Sequence, residues 1–229
     1  MSKKIAILQS NYIPWIGYFD IINKADIFVF YDDVQYTKND WRNRNKIKTN
    51  NGLQWLTIPV KSNKLSQKIN EVEILNQNWH KKHWNAIKTN YSKSKNFQKV
   101  NPFVKELYEK SSSLIKLTDI NRLFIKEISV FLNIKTEFKC SSDFNLSKSK
   151  TQRLIDICKK CDGSEYISGP AAKSYLDIKL FENENIKLTF MDYDGYKEYN
   201  QLFGAFEIGV SILDILFNEG SNASNYIDL

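Results

Sequence analysis

The residue types best suited to chemistry fall in five short clusters along the chain. The first is Gln9-Ser10-Asn11-Tyr12, which follows the apolar run Ile5-Ala6-Ile7-Leu8 and precedes a segment with helical spacing. Open parallel sheets bind ligands beyond the carboxyl ends of their strands, where helix N-termini offer unpaired N–H groups to anions. Gln9, Asn11 and Tyr12 stand where such a site belongs. Gln9 and Asn11 could equally cap the helix, and Gly17 could serve close approach of a ligand or tight packing. The second cluster, Asp32-Asp33, closes the apolar run 25–31. Strand side chains alternate, so the two carboxylates cannot face the same way. One could act as a base, a cation partner or an acceptor for sugar hydroxyls, with the other in the turn, or both could be turn residues.

Trp41-Arg42-Asn43-Arg44 contains half of the four arginines, the others being Arg122 and Arg153. A guanidinium grips phosphate or carboxylate through a bidentate fork that lysine lacks. Arg42 and Arg44, with Asn43, therefore read as a pyrophosphate or carboxylate clamp, or as a surface network with Asp40. Both histidines of the protein fall in Trp79-His80-Lys81-Lys82-His83-Trp84. Residues three apart share a helix face, and imidazole, with a pKa near ~6.5, is the usual general base. One of them is expected to act as base or substrate contact. His83 leads because it shares a face with Ala86, Ile87 and Tyr91; the bland alternative is one packed and one solvated imidazole. The last cluster is Ser168-Gly169, with Lys173 a turn later, where donors after the glycine could cradle an oxyanion or phosphate. Cys158 and Cys161 resemble half of a metal or redox site, but no second pair exists and they read as structural thiols. No metal site is expected.

These clusters need positioning elements. Residues 4–9 and 25–31 lack polar alternation, as strands buried on both faces do. Between them, residues 15–24 show helical spacing, with Pro14 suited to the first turn. Asn50-Asn51-Gly52 signals a hairpin between residues 46–48 and 54–60. Helices are expected over 78–92, from Pro102 onward, over 119–133, over 149–161, from the Gly169-Pro170 turn through Tyr175 and Phe181, and over 211–218. Strands are expected at 136–138, 166–168 and 186–190. The whole reads as one α/β domain spanning 1–229, with a mostly parallel sheet flanked by helices and a helical insert at 79–133.

Composition bounds the partners. The 229 residues carry 33 Lys+Arg against 26 Asp+Glu, a net +7, with 42% hydrophobic residues. Those fractions exclude wholesale disorder. The cations are mostly scattered lysines, whereas a nucleic-acid site more often clusters arginines with exposed aromatics, so no nucleic-acid partner is expected. No stretch is long enough to span a bilayer, so no membrane insertion is expected. Three cysteines and a first apolar run too short for a signal peptide point to free thiols in the cytoplasm.

Taken in order, Ile5-Ala6-Ile7-Leu8-Gln9, the segment from Tyr12 to Phe19, Ala25-Asp26, the segment from Asp32 to Tyr36, Trp41-Arg42-Asn43-Arg44, Trp55-Leu56-Thr57-Ile58-Pro59, Tyr166-Ile167-Ser168-Gly169 and Tyr175-Leu176-Asp177 resemble the WbqC-like family. Ser10 stands where that family usually has proline. The resemblance implies a bacterial cytoplasmic protein of O-antigen, lipopolysaccharide or capsule clusters that transfers an acyl or aminoacyl (glycyl) group to an amino sugar. The partners would be a nucleotide-linked amino sugar and an activated acyl donor, with no permanently bound cofactor, and the chain could assemble as a homo-oligomer. In that scheme Arg42 and Arg44 take the pyrophosphate, Gln9, Asn11 and Asp32 take hydroxyls, and His83 or His80 removes the amine proton. Donors near Ser168 and Gly169 face the oxyanion. Two alternatives use the same residues: a nucleotidyltransferase of HIGH-like architecture, or a sugar-nucleotide-binding protein without turnover.

Overall fold

A computed structural model of the chain describes residues 2–62, 66–147 and 150–227. In chain order the strands and helices are β1 (Lys4–Leu8), α1 (Ile16–Lys24), β2 (Ile27–Phe30), β3 (Arg44–Thr49), β4 (Gly52–Thr57), β5 (Val60–Lys61), β6 (Glu73–Ile74), α2 (Trp79–Tyr91), α3 (Phe97–Ser111), α4 (Leu117–Phe131), β7 (Glu137–Cys140), α5 (Lys150–Lys160), β8 (Glu165–Ser168), α6 (Ile178–Asn183), β9 (Lys187–Phe190) and α7 (Leu213–Glu219).

The two apolar runs pair in parallel, Ile5 opposite Ile27 and Leu8 opposite Phe30, and β8 joins the other edge of β1 with Ala6 opposite Ile167. With β7 and β9 outside them, the central sheet is five-stranded and all parallel, in the order β7-β2-β1-β8-β9. The strands of this sheet step outward from β1 first on one side and then on the other. The direction therefore reverses between β1 and β8, the place where open α/β sheets leave a crevice at the strand ends. Alternation splits the strands between two cores. Ala6, Phe28 and Phe30 face the larger one, shared with α1 to α4 and α7, while Ile5, Ile7, Ile27 and Val29 face α5 and α6.

The stretch 79–133 holds three helices, as its periodicity suggests, but the second begins before Pro102. Pro102 lies inside α3. Its missing N–H frees a carbonyl one turn back, and the Asn101 side-chain amide donates to the carbonyls of Phe97, at 3.1 Å, and Gln98, at 3.4 Å. The strand expected over 54–60 stops at Thr57; Pro59 breaks it, and Val60–Lys61 pairs instead with Glu73–Ile74. After Gly169 the chain forms a short 3-10 turn over Pro170–Ser174 and then α6, rather than one helix. Ser149, where the sequence starts the next helix, lies outside the described residues.

Candidate functional site

A cleft of about 780 Å³ opens at the reversal point. The end of β1 contributes Gln9 and Asn11, the end of β8 contributes Ser168 and Gly169, and Arg42 with Trp41 arrives from the segment before β3. Tyr31 and Val34 follow β2, while Lys150, Thr151 and Leu154 of α5 form a wall and Tyr175 stands at the mouth. The lining carries two cations, Arg42 and Lys150, and among the described residues no carboxylate and no histidine. Arg42 donates to the Asn11 side-chain oxygen and lies 3.6 Å from Asp40. Burial lowers its pKa against the opposing charge of Asp40, but the guanidinium stays cationic. The lining side chains themselves are therefore net positive, with Asp40 behind Arg42 offsetting part of that charge.

A buried carboxylate fixes the turn that presents Gln9 and Asn11. Asp32 is fully buried and accepts from the Ser10 amide at 2.8 Å, from the Thr118 hydroxyl, and from Arg122 at 3.2 and 3.1 Å. The Ser10 amide thus makes a bond that a proline at this position could not. The Asn121 amide ties the carbonyls of Ser10 and Arg42 together, and the Tyr12 amide donates to the Trp41 carbonyl at 3.0 Å. Ile13 then adopts φ 36°, a costly conformation for a β-branched residue, held by the Asn45 side chain donating to the Ile13 carbonyl at 2.8 Å. At Gly17 it is protein that comes close: a Cβ there would lie 2.4 Å from the Trp15 indole.

Several residues expected at the site lie elsewhere. His83 is buried, with Nε2 3.2 Å from the Thr57 carbonyl and Nδ1 2.8 Å from the Tyr12 hydroxyl, which in turn meets the Tyr108 hydroxyl at 2.6 Å. These partners assign the proton to Nε2, leaving Nδ1 to accept from Tyr12. Burial pulls the His83 pKa down to about 4, opposed by the Thr57 hydrogen bond. Neither His83 nor Tyr12 lines the cleft: His83 sits on the core face of α2, and Tyr12, in the turn after β1, is buried in the same core. His80 bonds the carbonyl of Gln77, just ahead of α2, and does not line the cleft. Asp32 is spent on Arg122, and Asp33 points the other way, to Ser141 and Arg153. Asn43 is buried, its amide donating to the Ile58 carbonyl at 2.9 Å. Arg44 lies over the Trp55 ring at 4.3 Å, and Lys173 lies near Phe190 at 5.4 Å.

Tyr31, Lys150, Thr151 and Tyr166 also line the cleft and stand outside the five clusters. Tyr31 and Tyr166 could have been found, since each belongs to the strand run that ends at the cleft. Arg153 holds the Tyr31 hydroxyl at 2.8 Å, a link across 122 positions that no local pattern signals. Cys158 and Cys161 are buried, and burial pushes the Cys158 thiol up to about 12. Among the described residues no group of three or more metal-ligating side chains gathers, and no helix is long and apolar enough to cross a membrane.

The fold and cleft define an open, parallel α/β protein with a cleft at its strand-order reversal whose lining carries two cations and, among the described residues, no carboxylate. Residues 9–226 match the WbqC-like protein family, and the chain belongs to that family. It is 46% identical over 226 residues to the uncharacterized protein Rv1507c of Mycobacterium tuberculosis, covering 98% of this chain and 97% of that one. No solved structure matches it.

Proposed function

We propose that the chain is a transferase of bacterial surface-polysaccharide biosynthesis, moving an acyl or aminoacyl (glycyl) group onto the amine of a nucleotide-linked amino sugar in the cytoplasm. The observation that carries this reading is the positive, carboxylate-free lining of the cleft at the β1/β8 reversal, which suits an anionic, hydroxyl-rich ligand. In this reading Arg42 takes the pyrophosphate, and Gln9 and Asn11 take hydroxyls. The amine enters unprotonated and attacks the carbonyl carbon of an activated acyl donor. The Ser168 hydroxyl donates to the oxyanion. As the new C–N bond is kept, the bond to the leaving group breaks with its electron pair, and the amine proton passes to water.

Incubation with nucleotide-linked amino sugars and thioester or acyl-phosphate donors tests this by mass spectrometry, and an amide-sized gain on the sugar is the expected product. Arg42→Ala removes a charge-assisted contact and weakens sugar-nucleotide binding roughly thirtyfold with little change in melting temperature. Arg44→Ala, outside the cleft, leaves binding within about a factor of two.

A second reading rests on the sheet order, which sets the turn after β1 beside the Ser168-Gly169 turn after β8. That adjacency would suit nucleotidyl transfer. Pyrophosphate release from a nucleoside triphosphate would favour it, and tight binding without turnover would favour a binding protein.

A further inference from the structure

Beside the cleft lies a smaller cavity of about 290 Å³, lined by Asn11, Pro14, Trp15, Trp41, Asn45 and Gly209. Two of these, Asn11 and Trp41, also line the larger cleft, so the two spaces share a partition at the point where Arg42 donates to Asn11. The smaller cavity differs from the cleft in its chemistry. No charged side chain lines it among the described residues; its walls are two indoles and a proline ring, with amides between them.

Both indoles are held in place. Trp15 is seated over Gly17 and meets Tyr193 and Tyr196 edge-on, at 5.1 and 5.9 Å between ring centroids. Tyr196 is anchored in turn by donating to Asp20 at 2.8 Å. Trp41 leans on Trp55 at 5.5 Å and is 40% exposed. Asn45 is occupied in holding the Ile13 carbonyl and accepting from the Lys46 amide at 2.7 Å. It therefore shapes the cavity and does not read a ligand. Preformed aromatic walls of this kind bind flat rings with little ordering cost.

We propose that this cavity is a nucleobase slot. The base of a nucleoside diphosphate stacks against Trp15 and Trp41, its diphosphate crosses the partition onto Arg42, and the group it carries lies in the larger cleft. The assignment rests on the reading of that cleft as a sugar-nucleotide site and adds the orientation of the ligand within it. Because the slot contributes ring faces rather than a set of edge-reading donors, discrimination among bases is weak.

Titration of the full-length protein with uridine, cytidine, guanosine and thymidine diphosphates, and separately with inorganic pyrophosphate, tests this by calorimetry. At least one nucleoside diphosphate is expected to bind ten times or more tighter than pyrophosphate. Trp41→Leu should weaken nucleoside diphosphates roughly tenfold and leave pyrophosphate unchanged, and Trp41→Phe should recover most of the loss. Trp41 is half-exposed, and an unchanged melting temperature confirms that the variants fold. Two outcomes overturn the slot: nucleoside diphosphates binding no tighter than pyrophosphate, or Trp41→Leu weakening both equally. If, in either of those cases, pyrophosphate still binds and Arg42→Ala abolishes it, the cationic cleft survives while the slot falls. Binding of neither probe sinks both.

Discussion

Two polar assemblies flank the turn after β1, and they use the same residue types to opposite ends. In the cleft, Arg42 donates to Asn11 and pairs with Asp40 at 3.6 Å, a longer pair whose two side chains keep 15% and 29% exposure, so the ion pair is open to solvent. Behind the turn, Arg122 meets a fully buried Asp32 that also takes the Ser10 amide and the Thr118 hydroxyl. There the charges cancel within the protein. A further buried knot joins Tyr12, Tyr108 and His83, each polar atom facing another. The contrast teaches that an arginine or histidine becomes available for chemistry when its partner is exposed and loosely held rather than buried and fully bonded. The closed assemblies support the open one by fixing the backbone that carries Gln9 and Asn11.

The strongest test of this division is Asp32→Ala. It strips the carboxylate from the Arg122 guanidinium and from two further donors at once, and breaking such a buried pair should cost about 3 kcal/mol in denaturant unfolding. Ligand binding should weaken as well, although Asp32 does not line the cleft, because the Ser10 turn loses its anchor. Unchanged stability would mean that the knot carries no load, and the comparison would collapse.

The sheet was legible because unbroken apolar runs such as Ile5-Ala6-Ile7-Leu8 have few ways to be buried. Strand ends then located Gln9, Asn11, Ser168 and Gly169, and arginine's scarcity in this chain drew attention to Arg42. Partnership was not legible. Asp32 and Arg122 are 90 positions apart, and Tyr12 and His83 are 71 apart. Periodicity put His83 on the apolar face of its helix, which is a reason for burial as much as for function, and burial prevailed. The start of α3 was obscured because Pro102 is tolerated inside it, with Asn101 supplying donors beside the missing one.

A smaller effect comes from pH. Folded His83 takes a proton only near pH 4, whereas the imidazole of the unfolded chain does so near ~6.5. Between these values acidification protonates the unfolded chain alone, so stability falls as pH drops. From pH 7 to 5.5 the loss attributable to His83 should be about 1 kcal/mol. Urea unfolding of wild type and His83→Gln at both pH values isolates it, since the variant lacks this component while sharing every other titration. Equal losses in the two proteins would show that the knot admits a proton.

The smallest effect sharpens the comparison most. His80 stands one helical turn before His83 on the same element, yet it bonds the Gln77 carbonyl just ahead of the helix and meets the Trp79 ring edge-on at 6.3 Å. It belongs to neither the closed knot nor the open cleft. His80→Ala should therefore change unfolding free energy by less than about 0.5 kcal/mol, as surface substitutions usually do, and leave sugar-nucleotide binding and turnover intact. If turnover instead fell with stability unchanged, a group outside the cleft lining would be reaching the substrate. The site would then extend toward α2, and availability could no longer be read from the cleft walls alone.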